Sequence, residues 1–179
     1  MEGSLSKIVA IIVACVIFFI YPIMTMFERQ DDTSRVFVLS ETTKFVDSVR
    51  NLGYISPNMY QEFVNKLLAT NNIYDIQMEH RHRKIDPVYG DPTNVASFKD
   101  DIGVNFSAFY TDDIMKVLFP NSHSSNNKYT FSKGDYFMVR VVNKNKTVAT
   151  KIKEMLYNAD FDNAQIYIAY GGMVKNENY

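Results

Sequence analysis

In the segment YDIQMEHRHRK two histidines, His80 and His82, stand two residues apart. On an extended chain that spacing puts both imidazoles on one face, where they can share a metal ion. A third ligand would have to come from elsewhere, from His123 or from an aspartate of the loop that follows. The sequence fixes no such partner, so the pair is read as polar residues at the point where a strand's apolar face leaves the core. His80 and His82 are thus the metal candidates, and no metal or other cofactor is assigned. Asp86, Asp91, Asp100 and Asp101 lack the spacing of a glycine-centred calcium loop closed by glutamate. They read as solvated residues of turns. Arg140 interrupts an apolar strand; its stem is expected to cover apolar surface while its head reaches water or an acid of its own domain. There is no GxSxG, no HExxH and no glycine loop that could cradle phosphate. Catalytic residues are therefore not assigned, and a non-enzymatic protein is expected.

The elements that carry these residues begin with an uncharged, mostly apolar run from Ile8 to Phe27. Twenty helical residues rise roughly 30 Å, the thickness of a bilayer core. The far end, PIMTMFERQ, has no small-x-small pair for a signal peptidase. A retained transmembrane helix is expected over 1–27, with Ile8, Ile12, Val16, Phe19 and Ile23 among its anchoring residues and Pro22 tending to kink it. Cys15 is the only cysteine, so no intrachain disulfide can form. Ile12-Val13-Ala14-Cys15 looks like a lipidation box, but the residues after it are as apolar as those before it. A lipidated cysteine would lead into a polar linker, and Cys15 reads instead as a small apolar residue of the membrane helix. Lys and Arg are few on both sides, so orientation rests on the short tail before the anchor, which suits an inside N-terminus and a cell-membrane protein with an extracytoplasmic domain.

Beyond the anchor the charges balance: with Lys7 and Glu2 set aside, 18 basic residues face 19 acidic ones. That offers no field for nucleic acid. Val38, Thr42, Phe45, Val49 and Leu52 recur at helical spacing, and Gly53 fits the end of a helix. An amphipathic stalk helix is expected over 28–53. Val38, Phe45, Val49 and Leu52 are its candidates for packing on partner subunits, unless the seam packs on its own domain. Ser56-Pro57 opens a second helix. Residues 74–83 alternate as a strand, 86–105 read as a long surface excursion with a short strand near 103–108, and Thr111 is expected to cap a short helix. YFMVRVV at 136–142 is apolar on both faces and reads as a central strand. Thr147 caps a helix with Val148, Ile152, Met155 and Leu156 inward, and QIYIAY at 165–170 is the last strand, ended by Gly171-Gly172. The class is α+β: a domain over 54–179 with a small, mostly antiparallel sheet and helices on one face.

Three stretches carry a family resemblance: the anchor running into a helix, ISPNMYQEFVNKLLATNNIYDIQMEHRH at 55–82, and KGDYFMVRVVNKNKT at 133–147 followed by AQIYIAYGGMV. Together they resemble the TadE/TadF-like minor pseudopilins, small membrane-anchored proteins encoded with tight-adherence (Tad) pili in Gram-positive bacteria. The resemblance implies a structural part in a surface filament or secretion machine, with membrane lipid and other assembly subunits as partners. Prepilin-type processing would fall between Gly3 and Ser4. The fifth residue after Gly3 is Ile8 and not the glutamate usual in pilin-like precursors, which suits an uncleaved anchor. The alternative expectation is a membrane-tethered ligand-binding or sensory domain with the 86–105 segment near its ligand.

Overall fold

The computed structural model describes residues 2–91, 93–120, 127–161 and 166–177. One helix, α1, runs without interruption from Glu2 to Leu52 and passes through Pro22. Its first half is long and apolar enough to cross a membrane, and none of the apolar window is buried in the protein. Ile8, Ile12, Val16, Phe19 and Ile23 are all between 47% and 65% exposed. Its second half changes character. Ser34, Val38, Glu41, Thr42, Phe45, Val46 and Val49 are buried, a stripe that recurs every three or four residues. Gly53 then adopts φ +74°, which favours glycine, and its N–H closes the helix on the Val49 carbonyl.

Of the two readings left open for the seam, the stripe takes packing on its own domain, which corrects Val38, Phe45 and Val49 as candidates for packing on partner subunits. Val38, Phe45 and Val49 are covered by the protein's own domain: Phe45 stacks on Phe63 with centroids 4.5 Å apart and meets Phe137 edge-on. These side chains leave no surface for a neighbour. Leu52, half exposed, falls off the buried stripe.

The other elements are β1 (Tyr54–Ile55), α2 (Pro57–Leu68), β2 (Tyr74–Tyr89), a 3-10 turn (Val95–Ser97), β3 (Phe98–Tyr110), α3 (Thr111–Leu118), β4 (Tyr129–Thr130), β5 (Tyr136–Asn143), α4 (Val148–Tyr157) and β6 (Tyr167–Met173). The fold is α+β. Its main sheet is antiparallel throughout, in the order β3-β2-β5-β6, and β1 pairs with β4 beside it. β5 is central, with Phe137, Val139 and Val141 buried towards α1, α2 and α3. Ser56 caps α2 and Thr147 caps α4, each accepting a backbone N–H three residues on.

Several local expectations change. Residues 86–105 are not a loose excursion: β2 continues to Tyr89 and β3 returns from Phe98, so the two form a long hairpin arm. β5 covers β2 only from Tyr74 to Arg81, and beyond that the arm is two-stranded. The α3 cap moves one residue back, to Tyr110, because the Thr111 hydroxyl is taken by the Met78 N–H at 2.8 Å. In α4 the buried residues are Ala149 and Thr150, while Val148 and Met155 are exposed. β6 runs through the glycine pair to Met173. Gly171 is needed there for close approach, since a Cβ would lie 2.9 Å from the Phe137 carbonyl oxygen and 3.0 Å from the Met138 Cα of β5.

Candidate functional site

The alternation of β2 turns Met78, His80 and His82 towards the helix side of the sheet. β5 lies antiparallel beside it with Phe137 opposite His80 and Tyr136 opposite Arg81. The residue before β5, Asp135, therefore arrives next to both histidines. A tight turn presents it: Asp135 N–H bonds the Ser132 carbonyl, and Gly134 takes φ +92°.

Asp135 is 1% exposed and collects four donors. Its Oδ2 accepts from His80 Nε2 at 2.8 Å and from Ser132 N–H at 2.8 Å. Its Oδ1 accepts from His82 Nδ1 at 2.9 Å and from Arg83 N–H at 3.1 Å. The second nitrogen of His80, Nδ1, is 2.7 Å from the Tyr129 hydroxyl. Phe131, Phe109 and Tyr129 surround the His80 ring, with centroids at 4.6, 5.5 and 5.5 Å. His80 is buried; a third of the His82 side chain faces a cleft of 760 Å³, which Asp113, Lys116, Lys128 and Glu177 also line.

Burial pushes the His80 imidazole below its ordinary 6.5, against the opposing pull of the Asp135 carboxylate. Burial would raise Asp135, but the bonds from Ser132, His80, Arg83 and His82 outweigh it and hold the carboxyl below 3.8. The Tyr129 hydroxyl is pushed up to about 12 by burial and by the Asp113 and Asp135 carboxylates. A neutral His80 satisfies all its neighbours in one tautomer: Nε2–H donates to Asp135 and Nδ1 accepts from Tyr129. The site thus presents two imidazoles and an ionised carboxylate within 4.8 Å of one another.

His80 and His82 do converge, and the third group is Asp135, presented by the turn before β5. The loop aspartates stay apart: Asp86 accepts from Asn105, Asp91 from Thr93, and Asp101 from the N–H of Ile102. His123 and the Asp100 side chain lie outside the described residues. A signal for Asp135 was present: an acid immediately before a central strand, once that strand is paired antiparallel to the histidine strand. Arg140 points to the opposite side of the sheet, where its guanidinium reaches Gln77 Oε1 at 3.5 Å. Among the described residues no carboxylate pairs with it.

The outer face of the sheet is the second notable surface. Opposed pairs there are Arg83/Phe106, Ile85/Val104 and Pro87/Ile102 on the arm, and Arg81/Tyr136 at its root. Phe106, Ile102, Tyr110, Ile85 and Met173 are each more than half exposed. Arg81, Arg83, Val104, Phe106, Tyr136 and Met138 line a groove of 460 Å³ on this face. Compared with known proteins, the chain matches no family model, no curated protein and no solved structure.

Proposed function

We propose that this protein is a non-enzymatic, single-pass component of the cell membrane that acts through protein–protein contacts in a Tad-like pilus or a related secretion machine. In this reading α1 holds the α+β domain at the extracytoplasmic surface, and the anchor stays uncleaved. The observation that carries it is the outer sheet face, whose apolar side chains stand in solvent with no helix of the described residues over them. Large exposed apolar faces mark interaction surfaces. The continuous helix from anchor to core favours a fixed presentation of that face.

A photo-crosslinking residue at Ile102 or Phe106 in the native membrane tests this. Adducts with other assembly subunits are expected from both positions and not from Leu68, a half-exposed residue on α2. Equal yields from all three positions, or none, would sink the reading. Intact mass of the membrane-extracted chain bears on processing: a chain beginning at Met1 fits the fixed anchor, whereas one beginning at Ser4 makes it a cleaved filament or tip subunit. A second reading, a tethered ligand-binding domain, draws on the cleft beside His82. A small molecule or metal that raises the melting temperature of the full chain would favour it.

A further inference from the structure

We infer that His80, His82 and Asp135 form a binding site for a divalent transition-metal ion of the zinc class, a role that stands apart from the assembly function. Spacing is the first argument. His80 Nε2 and Asp135 Oδ2 are 2.8 Å apart, and His82 Nδ1 lies 2.9 and 3.2 Å from the two carboxylate oxygens. Ligands around a tetrahedral ion at about 2.0–2.1 Å sit roughly 3.3 Å from one another. An opening of about half an ångström at the carboxylate edges suits the ion, and the ligand atoms of His80 and His82 lie within 4.8 Å of each other, near enough to converge on it.

The donor set is the second argument. Two imidazoles and one carboxylate suit zinc and its first-row neighbours, while calcium and magnesium take oxygen ligands.

The outer shell is the third. Metal-bound histidines characteristically give their other N–H to an acceptor, and ligating carboxylates are themselves held by hydrogen bonds. Here Tyr129 Oη sits 2.7 Å from His80 Nδ1, and the amides of Ser132 and Arg83 grip one oxygen each of Asp135. On binding, the His80 proton moves from Nε2 to Nδ1 and Tyr129 turns from donor to acceptor. The His82 proton shifts the other way, from Nδ1 to Nε2. His82, partly exposed, leaves the remaining coordination position open to the cleft.

The bland reading is a closed hydrogen-bond cluster that fastens the 132–135 turn to β2, and the experiment separates the two. The full chain is purified in detergent with a histidine-free tag, stripped with chelator, and titrated with Zn²⁺ by calorimetry and with Co²⁺ by visible absorption. One Zn²⁺ per chain is expected at micromolar or tighter affinity, with a rise in melting temperature and a Co²⁺ spectrum of nitrogen and oxygen ligation. His82→Ala, chosen because its side chain is partly exposed, should weaken binding at least tenfold. Asp135→Asn should do at least as much, and Tyr129→Phe should weaken binding about tenfold through the outer shell. If Asp135→Asn fails to fold, His82→Ala decides alone. Absence of saturable binding, or binding unchanged in His82→Ala, overturns the site. Crosslinks from Phe106 report on the other face of the sheet, so the two proposals fail separately.

Discussion

On the inner face of the sheet, Phe137, Val139 and Val141 of β5 are wholly buried. On the outer face the residues between them, Tyr136, Met138, Arg140 and Val142, are half covered, and the arm beyond them carries Phe106, Val104 and Ile102 in solvent. Both faces are rich in apolar side chains, yet among the described residues only the first has helices against it. Composition therefore does not say which face is the core. What distinguishes them is α1, whose buried stripe from Val38 to Val49 can lie on one face only. Apolar residues on the covered face hold the fold, and those on the bare face are available to a partner.

Substitution at the centre of the covered face gives the largest effect that this contrast predicts. Phe137 is fully buried and packs against Phe45 and Phe131. Phe137→Ala should cost about 3–5 kcal/mol, the usual result of removing a buried ring. Denaturant unfolding of the detergent-solubilised chain would measure it, and a loss under about 1 kcal/mol would mean that the inner face is not the core.

A smaller loss is expected where α4 meets α1. The Thr147 hydroxyl accepts from the Thr150 N–H and donates to Asp31 Oδ2 at 2.6 Å, tying the helix start to α1 just beyond the anchor. Thr147→Ala should destabilise by about 1–2 kcal/mol, and Thr147→Ser should recover most of it. If Ser fares no better than Ala, the tie is not the hydroxyl's.

Much of the covered face could be read from the chain. The period-two pattern of 74–82, the caps Ser56 and Thr147, and the doubly apolar 136–142 each follow from local chemistry, and the structure places them accordingly. The bare face was harder to read. Its arm is rich in Asp, Gly and Pro, residues that signal turns, while its strand character comes from pairing between Arg83 and Phe106 and their neighbours across the hairpin. In α4 the apolar set Val148, Ile152, Met155 and Leu156 suggested an inward face, of which only Ile152 is partly buried. The contacts of Thr147 and Ala149 with the rest of the domain turned it outward, a tertiary effect that no window of sequence contains. His80 and His82 were visible as a pair, but Asp135, 53 residues after His82, joins them only through the register of β2 on β5.

The helix layer also carries a polar contact of modest weight. Glu41 is buried on α1, with Lys44 Nζ at 2.6 Å and Lys66 Nζ of α2 at 3.5 Å. The hydrogen bond from Lys44 leads in holding its carboxyl below the ordinary 4.5, and Lys66 adds to the effect against the cost of burial. A carboxyl depressed in the folded state stabilises above its unfolded value, and that contribution is lost as pH falls through the folded one. Melting temperature should therefore drop as pH is lowered beneath 4.5. Glu41→Gln should reduce that drop and cost about 0.5–1 kcal/mol at neutral pH, since both lysines remain largely in water. An identical acid limb in the variant would show that other carboxyls account for it.

The smallest expected effect on stability is the most informative about the bare face. Phe106 is 62% exposed and lies opposite Arg83 on the arm, with water on its outer side. Phe106→Ser removes a ring as large as that of Phe137, but one that has little burial to lose. Unfolding free energy should stay within about 0.5 kcal/mol of the parent. Retention of assembly subunits in a detergent pull-down should nevertheless fall, because an aromatic at the centre of a bare face is the kind of side chain that dominates an interface. A destabilisation approaching that of Phe137→Ala would mean that the outer face is covered within the protein itself. Unchanged stability with unchanged retention would leave the arm exposed for some purpose other than assembly, and would remove the observation on which the assembly role rests.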